Sequence, residues 1–357
     1  MTENNGGNRI KLRLSQQAER YARRDAPVEI RRTAARGALP LEPIELATVL
    51  FVLMHDGDAE VKDTARTSLE QLPRPLLETV VGGAAHPALL SLLARIHRDD
   101  EALCASLALN PACDDATVAF LATLPLRQVV DIVSHNQERM MRCDDIVEAL
   151  GANPLTGRAV IERILTFLGI PPEPLPNAGQ AELSNQDAEA AVLALLGDEF
   201  TGYAGELTRE TDEPVEEDSL GTSLFAALQK MNVMQKVKLA RLGGNEARAL
   251  LIRDRNKVVA SAAIRSPKIT DAEVAGYAQS RGLCDEVYRI ISNSREWTKH
   301  YQVKLALATN PKVPLAQAVG FLAYLQDRDL KSIMKSRDVP SAVSTQARRL
   351  LQKKGKI

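Results

Sequence analysis

The feature that most constrains the fold of this chain is a proline break that returns after short runs of small apolar residues. It occurs in four segments, SLALNPACDDATVAFL, ALGANPLTGRAVIERIL, SAAIRSPKITDAEVAGYA and LALATNPKVPLAQAVGFL. Proline cannot continue a helix, and the residue before a proline is pushed out of the helical region. Each segment therefore predicts the end of one helix, a tight turn, and a second helix that begins at a polar cap.

Apolar residues elsewhere in the chain also follow helical spacing. Two examples are the sets Val61, Ala65, Leu69, Leu72 and Leu220, Leu224, Leu228, Met231. The sequence lacks alternating β-branched runs bounded by Asn-Gly turns, which argues against a sheet. Aromatic residues are only 4% of the chain, so Leu, Ala, Val and Ile must fill the core. These patterns predict an all-α fold.

The proline breaks recur at a near-constant offset. Asn110-Pro111, Asn136 and Asn153-Pro154 match Ser266-Pro267, Asn293 and Asn310-Pro311 at offsets of 156 or 157 residues. This predicts an internal duplication in which residues 69–168 correspond to residues 228–325. One helical hairpin cannot bury both of its faces, whereas a stack of hairpins can. We therefore expect an α-solenoid of short helical repeats with two duplicated modules.

The residues of these units also carry a family resemblance. The stretch HDGDAEVKDTARTSLEQLP, residues 55–73, resembles a helix of a HEAT repeat through Asp58, Val61, Ala65, Leu69 and Leu72. Units such as ALATNPKVPLAQAVGFLAYL resemble leucine-rich-repeat-variant units, and the C-terminal half is similar to bacterial repeat proteins with no assigned activity. The likeness covers about residues 40–168 and 222–350. It implies a helical solenoid and a protein-binding role, and it implies no chemistry.

The cysteines depart from that resemblance. A leucine-rich-repeat-variant protein joins its repeats to a cysteine-rich iron–sulfur segment, and cluster ligation needs four thiolates or an equivalent set. Here Cys104, Cys113 and Cys143 have no fourth cysteine nearby, and Cys284 is distant. We expect buried structural thiols and no cofactor or metal. Without CxxC pairs, a secretory leader or a long apolar run, the chain is expected to be cytoplasmic and to lack a membrane span.

Composition divides the chain into four regions. Residues 1–39 are a basic segment with a capping helix, residues 40–169 the first repeat module, residues 170–221 a proline-rich acidic linker, and residues 222–357 the second module. The linker is expected to be mostly irregular, with one short helix over residues 185–200. It carries 13 acidic side chains and 1 basic one, whereas the second module carries 25 basic and 10 acidic ones. The linker could therefore screen the second module electrostatically.

The second module contains the candidate binding residues. They are Arg289, Arg295, Trp297, Lys299, His300, Tyr301, Arg328, Lys331, Lys335 and Arg337. Tryptophan and arginine dominate protein–protein hot spots, and an aromatic ring among cations can also stack on a nucleic-acid base. For Trp297, the sole tryptophan, the alternative is a ring that closes the core at a turn between helices.

The local motifs of nucleotide-binding loops, zinc proteases and serine hydrolases are missing from the sequence. We therefore expect no enzymatic activity. The favoured function is a scaffold or adaptor that binds partner proteins on the surfaces of the solenoid. The alternative is a nucleic-acid-binding protein that uses the basic second module, since a surplus of cations attracts any polyanion.

Overall fold

The computed structural model describes residues 12, 14–171, 190, 192–194, 196, 198–210, 222–336 and 338–356, except for the side chains of residues 198, 199, 222 and 223. Over these residues the regular structure is helical and contains no strand, which confirms the all-α fold class. The chain divides into two compact units, Met1–Ala149 and Leu150–Ile357. The division falls inside one helix.

Ten helices and most of an eleventh make up the described part of the first unit. They are α1 Gln16–Ala22, α2 Val28–Ala35, α3 Pro43–Leu53, α4 Ala59–Glu70, α5 Arg74–Gly82, α6 Pro87–Ile96, α7 Glu101–Leu109, α8 Asp115–Thr123, α9 Arg127–His135, α10 Gln137–Arg142 and α11 Asp144–Ala152. Helices that pack together are close in the chain: α3, α5 and α7, for example, each contact the next helix but one.

Helix α4 shows how the sequence defines these elements. Asp58 caps its N-terminus by accepting a hydrogen bond from the backbone N–H of Val61. Val61, Ala65 and Leu69 then recur on one face and are fully buried. Such caps and apolar stripes together start a short helix and bind it to its neighbours.

The second unit contains helices of similar length. They are α12 Arg158–Phe167, a 3₁₀ helix Asp198–Tyr203, α13 Ala204–Thr208, α14 Thr222–Lys230, α15 Val233–Leu242, α16 Asn245–Leu251, α17 Lys257–Ile264, α18 Asp271–Gln279, α19 Asp285–Asn293, a 3₁₀ helix Trp297–Lys299, α20 Tyr301–Thr309, α21 Leu315–Leu322, α22 Asp327–Lys335 and α23 Ser341–Lys353. Helix α17 packs against α15 and α19, α18 against α20, and α21 against α23.

All four proline breaks lie between two helices, as the sequence predicts. The side chain of Asn310 shows what holds such a turn. Its Nδ2 donates to the carbonyl oxygens of Ala278 (2.9 Å) and Ser280 (2.7 Å) at the end of α18, and its Oδ1 accepts from the N–H of Lys312 (3.0 Å). The asparagine thus binds its own turn to carbonyl groups at the end of a neighbouring helix, which lack helical donors.

Asn110 does the same in the first unit. Its Nδ2 donates to the carbonyl oxygens of Val81 (2.6 Å) and Gly83 (2.8 Å), and its Oδ1 accepts from the N–H of Ala112 (2.8 Å). Ser266, which the sequence offset pairs with Asn110, is equally buried, but its hydroxyl has no hydrogen-bond partner among the described residues. The hydrogen bonding therefore matches Asn110 with Asn310 instead of with Ser266.

Residues 198–210, inside the acidic segment, are more ordered than the sequence indicates. Residues 198–208 form the 3₁₀ helix and α13, and α13 packs against α16. Ala204, Leu207 and Thr208 are buried there. Of the helix expected over residues 185–200, residues 190, 192–194 and 196 are helical, while its start lies outside the described residues. The expectation of an irregular linker therefore does not hold for residues 198–210.

Candidate binding groove in the second unit

A groove runs between α20 and α22. Two adjoining cavities of about 220 Å³ and about 260 Å³ form it, and they share the residues Gln279, Ala306, Thr309, Ser332 and Ile333. Helices α20 and α22 make little direct contact, since each packs instead on the layer that α21 and α23 provide. The groove is therefore the space left between two neighbouring helices of one layer.

A side-chain contact links α20 to α22 at one end of the groove, and an ion pair between the segments that follow α18 and α22 lies near the other. The hydroxyl of Tyr301 donates to Asp329 at the start of α22, and it accepts from the N–H of Gln326 (3.1 Å). Burial, followed by this bond to a carboxylate, raises the pKa of Tyr301. Near the other end, Arg281 and Asp338 line the groove and form a loose ion pair at 4.0 Å.

The floor and the walls of the groove differ in chemistry. Ala306, Ile333 and Val339 are buried and give an apolar floor. The side chains of Gln279 and Gln302 are exposed along the walls, together with the hydroxyl of Ser332. Within the described part of the chain, none of these three polar side chains has a hydrogen-bond partner. The groove therefore presents free donors and acceptors above an apolar surface.

Three of the predicted residues share one face of α22. Arg328, Lys331 and Lys335 are exposed and are spaced by three and four residues, which places them on one side of the helix. This side lies next to the groove-lining Ser332. Lys331 and Lys335 form no ion pair with any described residue. Arg337, the remaining predicted cation of this region, lies outside the described residues.

The carboxylates near this basic face already have partners. Asp327 accepts from Lys354 (3.0 Å) and lies 4.0 Å from Lys356. The hydrogen bond from Lys354 lowers the pKa of Asp327. Asp329 is bound by Tyr301, as described above. Asp329 also lies 3.9 Å from Arg328, so Lys331 and Lys335 are the cations of α22 that have no ion pair in the described part.

The predicted residues that precede α20 do not form a single cluster of free cations. Lys299 pairs with Glu296 at 2.8 Å, and His300 lies 3.2 Å from Asp271. Arg289 and Arg295 are exposed and form no ion pair within the described part of the chain. Tyr301 acts as the tie to α22 and is half-buried.

Trp297 is buried, with 5% of its surface exposed. It begins the short 3₁₀ helix Trp297–Lys299, which packs between α19 and α20. Of the two alternatives left open by the sequence, the structure places the ring in the core at a turn between helices. It is therefore not available as an exposed stacking platform.

Several of the groove residues that the sequence did not single out are neutral. Gln279, Gln302 and Ser332 have no charge, no motif and no unusual spacing. Their common property is that they line the gap between α20 and α22, and that gap is a product of packing. The feature near them that the sequence did indicate is the set of cations Arg328, Lys331 and Lys335 on α22.

Two of the cysteines, Cys104 and Cys113, are buried. Burial raises the pKa of Cys104 and of Cys113 to about 11, so both thiols are protonated at neutral pH and behave as core residues. Among the residues that the structure describes, no group of three or more His, Cys, Asp or Glu side chains is arranged to hold a metal ion. No described helix combines the length and the apolar character that crossing a membrane requires.

Comparison with known proteins does not assign this chain to a family. No protein-family model matches it, and no curated protein and no solved structure does so either.

Proposed function

We propose that this chain is a non-enzymatic helical-repeat scaffold that binds a partner protein in the groove between α20 and α22. The observation that carries the proposal is the groove itself, with its apolar floor and its unpaired side-chain amides. Protein-binding sites combine a water-excluding apolar centre with polar groups that fix the partner's position. The cytoplasmic location predicted from the sequence is part of this proposal.

The packing of both units supports the repeat part of the proposal. Within each unit the helices contact mainly the next helix and the next but one in the chain. Repeat arrays are built from such short-range contacts, because each repeat touches its neighbours alone. The matching hydrogen bonds of Asn110 and Asn310 support related turns in the two units. The two duplicated modules remain a proposal, as does the solenoid.

A groove-blocking variant tests the function. We expect Ser332→Trp to fill the groove, because Ser332 lines both cavities. Full-length wild type should retain a partner from nuclease-treated lysate that Ser332→Trp does not retain. The matched control is Gln352→Trp on the exposed side of α23. Equal retention by all three proteins would contradict the proposal.

Nucleic-acid binding by the second unit is the second candidate. Residues 222–357 carry a surplus of 15 positive charges, and Arg289, Arg295, Lys331 and Lys335 are exposed without ion pairs in the described part. The burial of Trp297 removes this ring, which the sequence offered as a platform for a stacked base. The available cations therefore favour contact with a charged backbone over contact with bases.

A further inference from the structure

We propose that the groove between α20 and α22 binds an acidic segment of a partner protein in an extended conformation. This inference rests on the proposed function and adds the chemistry and conformation of the ligand. Three observations carry it: the dimensions of the groove, its unpaired amides and the charge beside it. A fourth comes from a segment of the chain itself.

The length of the groove fits a short extended peptide. Helices α20 and α22 have nine residues each, which corresponds to about 13 Å at 1.5 Å per residue. An extended chain covers about 3.3 Å per residue, so about four residues span the groove. A second helix would have a diameter of about 10 Å with its side chains. A helix also pairs its own backbone donors and acceptors, so it would leave the free amides of the groove unused, whereas an extended chain can bind them.

The groove walls match the hydrogen bonds of a peptide backbone. A glutamine side chain has both a carbonyl oxygen and an NH₂ group, as a peptide unit has both an acceptor and a donor. Gln279 comes from the end of α18 and Gln302 from the first turn of α20, and both line the cavity of about 260 Å³. An extended peptide leaves its backbone groups unpaired, so it can use both amides. Ser332 adds a hydroxyl from α22.

The charge beside the groove selects acidic side chains. Lys331 and Lys335 lie on the exposed side of α22 without an ion pair, whereas Asp327 and Asp329 are already bound. Asp338, which lines the groove, is paired with Arg281. Asp329 also lines the groove and lies 3.9 Å from Arg328. Because residues 222–357 carry 25 basic and 10 acidic side chains, an incoming carboxylate still meets a surplus of positive charge. Opposite charges across an interface favour the matching partner, whereas like charges disfavour other partners.

The chain itself contains a bound segment with an acidic end, although most of it is helical. Residues 204–210 lie on α16, where the N–H of Gly244 donates to the carbonyl oxygen of Leu207 (2.9 Å). Glu210 accepts two hydrogen bonds from Arg248, at 2.9 and 3.1 Å, and one from the N–H of Asn245 at 3.1 Å. The second unit thus already holds an acidic peptide by a backbone bond together with a carboxylate–cation pair.

Binding of a labelled oligoglutamate to the full-length protein tests the inference. A probe of about twelve residues exceeds the roughly four residues that span the groove, and its fluorescence anisotropy reports binding. We expect Gln279→Ala/Gln302→Ala, which leaves the charge unchanged, to weaken binding about tenfold, because two hydrogen bonds are lost. We expect Lys331→Ala/Lys335→Ala to weaken binding about fivefold at low salt and to reduce its salt dependence.

The matched control removes the same charge elsewhere. Lys238→Ala/Arg255→Ala takes two exposed cations from other elements of the second unit, and its affinity should stay within about twofold of wild type if charge at a distance is screened. Circular dichroism shows that each variant is folded. An unchanged affinity of the double glutamine variant would overturn the inference, and so would an equal loss in the control. If wild type binds a thymidine oligonucleotide more tightly than oligoglutamate, and the same variants abolish that binding, the ligand of the groove is a nucleic acid and the peptide inference is wrong.

The outcome for the peptide is separable from the outcome for the scaffold. If Ser332→Trp abolishes partner capture while oligoglutamate does not bind wild type, the groove binds protein and the acidic ligand is wrong. If oligoglutamate binds in the groove while capture does not depend on Ser332, the acidic-peptide site stands and the scaffold proposal fails.

Discussion

At the scale of single residues, the turns between helices depend on buried polar groups. Asn110 and Asn310 are each 4% exposed, and each satisfies two backbone carbonyls of a neighbouring helix. Arg139 plays a similar part, because its guanidinium donates to the carbonyl oxygens of Cys113 (2.7 Å) and Asn110 (3.1 Å). Buried backbone acceptors that lose such donors destabilise the fold.

Replacement of Asn310 measures this contribution. We expect Asn310→Ala to lower the free energy of unfolding by about 1–3 kcal/mol, because the carbonyl groups of Ala278 and Ser280 lose a donor. Urea denaturation of the full chain reports the change. Asn293→Ala, at an exposed position of α19, is the control and should alter the stability little. Equal effects of the two substitutions would contradict the assigned role of Asn310.

Glu286 is a buried carboxyl that has no hydrogen bond or ion pair with another residue in the described part of the chain. It is 7% exposed, and burial raises its pKa above the usual 4.5 although Arg158, Arg265 and Arg289 are near it. Arg265 is bound instead to Glu162, with one N–O distance of 2.8 Å. The ionised form of Glu286 is therefore disfavoured in the folded state, so its contribution to stability is present below pH 4.5 and is lost as the pH rises through the folded-state pKa.

The variant Glu286→Gln should remove this pH dependence. We expect its free energy of unfolding to exceed that of wild type at pH 7 and to approach it at about pH 4, since each unit of pKa difference corresponds to about 1.4 kcal/mol. Denaturation at both pH values measures the effect. A variant that is less stable at pH 7 would show that the nearby arginines stabilise the carboxylate more than burial penalises it.

At the scale of elements, close backbone contact holds α13 and the residues after it on α16. A Cβ atom added to Gly244 would lie 1.9 Å from the carbonyl oxygen of Arg209, so the glycine is required for this approach. Arg248, 1% exposed, then pairs with Glu210 and with Glu273. Removal of one partner from a buried ion pair is strongly destabilising.

A pair of glycine substitutions tests the contact. We expect Gly244→Ala to release residues 204–210, because backbone must move to admit the methyl group; limited proteolysis should then cut near Arg209 faster than in wild type. Gly276→Ala is the control, since a Cβ there meets nothing within 4 Å. In the interior of α18 that alanine should stabilise the protein by about 0.5–1 kcal/mol. Equal proteolysis of Gly244→Ala and wild type would show that the contact is not required.

At the scale of the whole molecule, charge is distributed unevenly along the sequence. The chain has a net charge of −1, yet residues 222–357 have 25 basic and 10 acidic side chains. Binding of a polyanion to such a surface releases counterions and weakens as salt rises. Contacts from such cations to phosphates carry no sequence information, so they give little sequence preference.

We therefore expect full-length protein to bind heparin and single-stranded DNA at low salt with similar affinity. Binding should fall by about an order of magnitude or more between 50 and 200 mM salt, in proportion to the number of phosphate contacts. Gel-shift assays over a salt series measure it. Salt-resistant binding, or a strong preference for one DNA sequence, would favour the nucleic-acid function over the scaffold.

Much of the architecture follows from local sequence. The Asn-Pro and Ser-Pro breaks end helices through the geometry of proline, and caps such as Asp58 and Asp114 start them. Both effects act within a few residues, so the sequence by itself determined the all-α class and the positions of the turns. Helical spacing likewise identified the exposed set Arg328, Lys331 and Lys335, because the face on which residues of one helix lie depends on their spacing alone.

The groove and the buried position of Trp297 were decided by tertiary structure. A gap between α20 and α22 exists because α21 and α23 support them from another layer, and no segment of sequence records that distance. Gln279 and Gln302 line the groove together because the helices α18 and α20, which carry them, pack side by side. Local interactions thus determine which residues form helices, whereas the packing of helices against each other determines which neutral side chains face an open groove.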